Sequence, residues 1–192
     1  MLYASFFRPR GIYGGWFNRA AAWVTGGPYC HCEFVFKWTP AQLADLTAKL
    51  QGHAPLRELE GDVYVCMYVL WGGTVNYRVL KEDSASEFFG VPRHKVQLEL
   101  TDAQEQRVAT WLLDEYGKSY DRVGALLCPF QWRAPKPTYP RYFCSQLMAC
   151  ALNAAGVTEI HNPGTMSPNA LCRHVCIKQG VPLPNVHADL VS

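Results

Sequence analysis

Two residues far apart in the chain have the chemistry of a thiol enzyme. Cys144 stands in Tyr142-Phe143-Cys144-Ser145-Gln146-Leu147, at the expected start of a helix. A thiol is a strong nucleophile only as thiolate, and a helix N-terminus stabilises that anion through its unbonded N–H groups. The base that such a nucleophile needs has its best candidate in His31, within Cys30-His31-Cys32-Glu33-Phe34-Val35-Phe36. Side chains on a strand alternate between faces, so His31, Glu33 and Val35 share one face and Cys30, Cys32 and Phe34 the other. If the first face meets the Cys144 helix, Cys144 attacks, His31 moves the proton, and Glu33 orients the imidazole. A neighbour two residues along the same strand is not an ideal orienter, and Asp62 at the start of the next hairpin competes for that place. The Cys144 N–H would help to bind an oxyanion.

The elements that must position these groups can be read from pattern. Leu2 to Phe7 reads as a strand and Trp16 to Thr25 as a helix closed by Gly26-Gly27-Pro28. Tyr29 to Trp38 alternates as a strand. Thr39-Pro40-Ala41-Gln42 and Thr101-Asp102-Ala103-Gln104 are capping boxes. They open helices running to about Gln51 and Tyr116. Asp62 to Trp71 and Thr74 to Leu80 flank Gly72-Gly73 as a hairpin. Lys95 to Leu100 reads as a further strand and Asp121 to Cys128 as a short helix. Pro129 to Pro140 reads as a proline-rich loop. Cys144 to Ala155 has apolar residues on one side, with Gly156 as its stop, and Ser167-Pro168 starts a last helix ended by Gly180. The expectation is one α+β domain over residues 1–192 with a mainly antiparallel sheet.

The ordered motifs resemble a known family. His-x-Glu-Phe-Val on an early strand, Tyr120-Asp121 before a short helix, and Phe-Cys-Ser-Gln-Leu opening a helix are similar to the circularly permuted NlpC-type hydrolases. That group includes YiiX-like bacterial proteins, poxvirus homologues and, more distantly, lecithin:retinol acyltransferase-like proteins. Met166-Ser167-Pro168-Asn169-Ala170-Leu171 resembles a late helix start of the same group. The resemblance spans roughly residues 1–175 and implies a papain-like fold. By it Cys144 is the nucleophile, His31 the base and Glu33 the third polar residue, with no cofactor and no metal. It departs from the pattern at Gln146, where the group has glutamate, and lacks the opening Gly-Asp. Such enzymes cleave amide or ester bonds of peptides or lipids, or transfer acyl groups. Hydrolysis of a peptide or isopeptide amide through a Cys144 thioester is the first expectation. Lipid acyl hydrolysis or transfer by the same pair is the second. A binding protein that kept the fold without turnover is the alternative of another class.

Composition narrows the rest. The chain of 192 residues is 49% apolar and 13% aromatic, which suits a packed core. Its net charge of +2 demands neither nucleic acid nor an anionic surface as partner. The longest apolar run, Val63 to Trp71, is too short to cross a bilayer. Arg8, Pro9 and Arg10 interrupt any signal-peptide core, so a reducing, cytoplasmic location is expected. The eight cysteines therefore read as thiols rather than a disulfide framework. Cys30-His31-Cys32 and Cys172-x-His174-x-Cys176 offer soft ligands, but each histidine faces away from its cysteines in the expected strand or helix, which argues against zinc. The glycines lack the context of a phosphate loop. Trp16, Trp23, Trp71 and Trp132 are candidates to line an apolar groove for an acyl chain or hydrophobic peptide. Tyr120 and Asp121 are given structural roles, Asp121 as a helix cap, and Ser145, which points elsewhere on its helix, is given none. Oligomeric state is not written in the sequence.

Overall fold

The computed structural model describes residues 1–49, 61–80, 87–88, 91–130 and 141–184. Its strands are β1 (Leu2–Phe7), β2 (His31–Trp38), β3 (Val63–Val69), β4 (Val75–Leu80), β5 (Glu87–Phe88) and β6 (Val91–Leu98). They form one sheet in the order β4-β3-β2-β1-β6-β5, antiparallel at every pairing. The helices are α1 (Trp16–Val24), α2 (Pro40–Lys49), α3 (Asp102–Asp114), α4 (Arg122–Leu127), α5 (Cys144–Ala154) and α6 (Pro168–Gln179). The fold is α+β with an antiparallel sheet. Among the described residues no helix is long and apolar enough to cross a membrane.

Register decides which side chains meet. Phe6 pairs with both Cys32 and His94, and Phe7 with both His31 and Arg93. Directly paired residues project to the same side, so Cys32, Phe6 and His94 form a row on one face. His31, Phe7 and Arg93 form a row on the other. The first face is the core. Leu2, Ala4, Phe6, Phe34, Phe36, Val65 and Val96 are buried there against Leu147, Met148 and Leu152 of α5 and Leu171 and Val175 of α6. Each such aliphatic or aromatic side chain contributes about 1.5–3 kcal/mol by leaving water. The second face is mixed. Lys95 lies over the Tyr3 ring at 3.7 Å, and Lys37 pairs with Asp62 at 3.0 Å.

Local chemistry fixes the ends of the elements. Both predicted capping boxes form. Thr39 N–H donates to Gln42 Oε1 at 3.0 Å, and Thr101 N–H to Gln104 Oε1 at 3.0 Å. Gly72 turns the β3–β4 hairpin at a φ of +76°, where a side chain would be strained. Ser167 caps α6 by accepting from Ala170 N–H at 3.1 Å, with Pro168 in its first turn.

One boundary differs from expectation. The strand expected at 95–100 begins at Val91 and ends at Leu98. Pro92 reads as a breaker, yet it pairs with Glu87 of the two-residue strand β5 at the sheet edge, the position where proline is tolerated in a sheet. The tail of the helix expected to reach Gln51, the proline-rich stretch at 131–140 with Trp132, and residues 185–192 lie outside the described residues.

Candidate active site

Helix α5 brings Cys144 to the sheet, but not against the face expected for it. The helix packs on the core face with Cys32 and Phe34, whereas His31 and Glu33 lie on the other. The groups converge because β2 begins at His31. At that strand end the first turn of α5 reaches past the sheet, and a cavity of about 240 Å³ opens there, lined by His31, Cys144, Cys30, Tyr13, Tyr120 and Trp71 among others. Cys144 and His31 thus share one cavity wall, and Cys144 is itself only 5% exposed.

The helix start is held from several sides. Phe143 N–H donates to Gln146 Oε1 at 3.4 Å, so the glutamine standing where the resembled group has glutamate closes the turn itself. Ser145 Oγ donates to Met166 O, which takes that hydroxyl out of the site as expected. Asp121 N–H donates to Tyr142 O at 2.9 Å and Tyr120 N–H to Gly73 O at 3.0 Å. These bonds carry Tyr120 to the cavity wall. Asp121 caps α4 by accepting from Gly124 N–H at 2.8 Å, the structural role read from the sequence.

His31 is nearly buried. Its ring stacks on Tyr13 at 4.9 Å and 28°, with Phe7 at 5.7 Å. Nε2 faces Glu33 Oε2 at 3.8 Å. Glu33, fully buried, accepts from Arg78 Nη2 at 2.6 and 2.7 Å, and the Arg78 guanidinium lies 4.6 Å from the Tyr68 ring centroid. Glu33 is thus the carboxylate beside His31. Asp62 pairs with Lys37 on an exposed edge instead.

The electrostatics follow from these contacts. The Cys144 thiol is held well below the ordinary range by a hydrogen bond from the Cys32 thiol, with help from the Cys32 backbone N–H and from His31, against the opposing effect of burial. Cys32 is pushed up, chiefly by burial and then by its contact with Cys144. Burial works to lower His31, but the neighbouring Cys144 and Glu33 prevail and raise it to about 9. Cys30 and Cys128, also on the cavity wall, are each pushed up to about 12, chiefly by burial. Of the thiols lining the cavity, Cys144 is thus pushed down while Cys30 and Cys128 are pushed up.

The groove differs in part from its expected lining. Trp71 lines it, but Trp16 and Trp23 do not. They lie seven residues apart on the outward stripe of α1 and are 81% and 82% exposed, while Phe17 and Ala21 of the same helix face the cavity. Helical period separates the two stripes.

Three contributors were not evident in the sequence. Tyr13 sits in a single 3-10 turn (Gly11–Tyr13) with no periodic signal. Arg78 reaches Glu33 from β4, two strands away in the sheet. Asn169 of α6 accepts from Tyr29 N–H at 2.9 Å and donates to Tyr29 O at 3.0 Å and Thr25 Oγ1 at 2.6 Å, fixing the chain just before His31. Its signal is Gly27, where an added Cβ would lie 2.5 Å from Asn169 Oδ1. The eight cysteines, all among the described residues, are free thiols.

Comparison of the chain with known protein families, with curated proteins and with solved structures finds no match.

Proposed function

We propose that this chain is a thiol hydrolase of papain-like type that cleaves an amide bond through a covalent thioester on Cys144. The observation that carries the reading is Cys144 and His31 lining one cavity, with Glu33 buried beside His31 and Arg78 balancing that carboxylate. In the first half-reaction the Cys144 thiolate attacks the carbonyl carbon and a tetrahedral oxyanion forms. The N–H of Cys144, one of the unbonded donors of the first helical turn, faces the developing charge; such a donor is worth about 3 kcal/mol when well aimed. The intermediate collapses as the C–N bond breaks, and His31 gives its proton to the leaving amine. In the second half-reaction His31 takes a proton from water. The hydroxide attacks the thioester, and the acid leaves as the thiolate re-forms. Glu33, tied down by Arg78, keeps the imidazole oriented and its cation favoured throughout.

The lining favours a second reading of the acyl side. Ile12, Phe17, Leu70, Trp71 and Pro129 make the cavity mainly apolar, which suits a hydrophobic side chain or a lipid acyl group. The same pair would then hydrolyse or transfer an ester-linked acyl chain.

The test is acyl-enzyme trapping. The protein is mixed with p-nitrophenyl esters of acetate, butyrate and octanoate, quenched in acid, and mapped by mass spectrometry. The expected result is one acyl group on the peptide containing Cys144, absent from Cys144→Ala and slowed in His31→Ala. Acylation spread over several cysteines, or unchanged in His31→Ala, would overturn the reading. A rate that rises with chain length would favour the lipid substrate, and one that does not would favour the amide.

A further inference from the structure

A second cluster of soft donors lies outside the cavity. His94 of β6 and Cys172 and Cys176 of α6 bring one imidazole nitrogen and two sulfurs to within 4.8 Å of one another. Cys176 Sγ is 3.8 Å from His94 Nε2. The two cysteines are one helical turn apart and buried, so they point the same way into the core. In the sequence the nearest histidine is His174, which faces elsewhere on the helix. The structure replaces that residue with His94, which arrives from a distant strand on the core face.

The placement of His94 calls for a reason. Its neighbours on that face of β6 are Val96 and Leu98, both buried and apolar. Among the described residues no carboxylate pairs with its ring. Its position is built. Tyr29 stacks on the His94 ring at 6.1 Å and 24°, and Asn169, in the first turn of α6, bonds both backbone groups of Tyr29. One connected set of contacts thus fixes the imidazole relative to the helix that bears both thiols.

The dimensions suit one ion. Zinc–sulfur bonds of about 2.3 Å and zinc–nitrogen bonds of about 2.1 Å at tetrahedral angles place sulfur ~3.6 Å from nitrogen and the two sulfurs ~3.8 Å apart. We propose that His94, Cys172 and Cys176 form a zinc site with three protein donors and a fourth position left to solvent. On binding, each thiol releases its proton to solvent. Two thiolates then neutralise the ion, leaving no net charge in the core. The site would pin α6 to β6 on the far side of Phe6 from Cys32, in the row Cys32–Phe6–His94.

Cobalt(II) is the probe. The reduced full-length protein is titrated as wild type and as Cys144→Ala, which removes the reactive thiol of the other cluster. The expected result in both is one equivalent of cobalt, with sulfur-to-cobalt charge-transfer absorption in the near ultraviolet and the visible bands of a tetrahedral ion. Zinc should displace it. His94→Ala and Cys176→Ser should each weaken binding by at least about tenfold, and Cys150→Ser should leave it unchanged. His94 is only half-buried, so His94→Ala keeps the test valid if the cysteine variant fails to fold. Absence of the charge-transfer band, binding lost with Cys144, or binding indifferent to His94→Ala would overturn the proposal. The last of these would mark an adventitious metal.

Discussion

Removing Arg78 should damage the protein more than removing the carboxylate it serves. Glu33 is fully buried and takes both of its short contacts from one guanidinium nitrogen, at 2.6 and 2.7 Å. Arg78→Met would keep most of the packing volume and leave the buried carboxylate only the His31 ring, at 3.8 Å, as a partner. Breaking a buried pair in this way costs about 3–5 kcal/mol. The Arg78 side chain retains 19% exposure, so water partly relieves the site and about 3 kcal/mol is the expected loss. Glu33→Gln removes the charge and leaves an arginine that solvent still reaches, for a loss of about 1–2 kcal/mol. The double variant should be more stable than the sum of the two losses implies, by at least about 1 kcal/mol, because the stranded charge is gone. Urea unfolding followed by fluorescence of the six tryptophans measures all three. An Arg78→Met loss within 0.5 kcal/mol of zero, or strict additivity in the cycle, would refute the view that this pair is a buried, coupled unit.

Two further outcomes follow from the same contacts. Asn169→Ala leaves the backbone N–H and C=O of Tyr29 without their side-chain partner and should cost about 2–3 kcal/mol in urea unfolding. It should also slow reaction of Cys144, because the chain entering His31 loosens. Cys32→Ala removes the thiol hydrogen bond that favours the Cys144 anion. The inflection of Cys144 alkylation with pH should move upward, measured by mass spectrometry of the labelled peptide, while far-ultraviolet circular dichroism is unchanged.

Much of the fold was legible because its signals are local. A short apolar run marked β1 and alternation β2, the Thr39–Gln42 and Thr101–Gln104 pairs marked two helix starts, and Gly72 marked a turn. Cys144 and His31 were legible as a pair because a thiol at a helix start and an imidazole at a strand start each carry chemistry in their type. The residues that pack around them are non-local. Arg78 on β4, Tyr13 in one 3-10 turn and Asn169 on α6 reach the site by register and packing, which no spacing in the chain encodes. The face was misjudged for the same reason. Alternation correctly separates His31 from Cys32, but only the three-dimensional end of β2 lets Cys144 touch both. His94 escaped notice because its ligand partners lie on a helix in the last part of the chain.

The central claim is an anionic Cys144 beside a cationic His31. The rate of Cys144 alkylation by iodoacetamide across pH, in the intact protein and in His31→Ala, tests it most directly. Cys144 is lowered, so its anion persists as pH falls below the free-thiol range. His31 is raised to about 9, so its cation persists through neutrality until pH climbs past that value. The account predicts fast alkylation already at about pH 6 in the intact protein. In His31→Ala the reaction should slow at least about tenfold at that pH, with its inflection moved toward the free-thiol value of about 8.5. A profile that rises only near that value in both proteins would contradict the ion pair and the hydrolase reading with it.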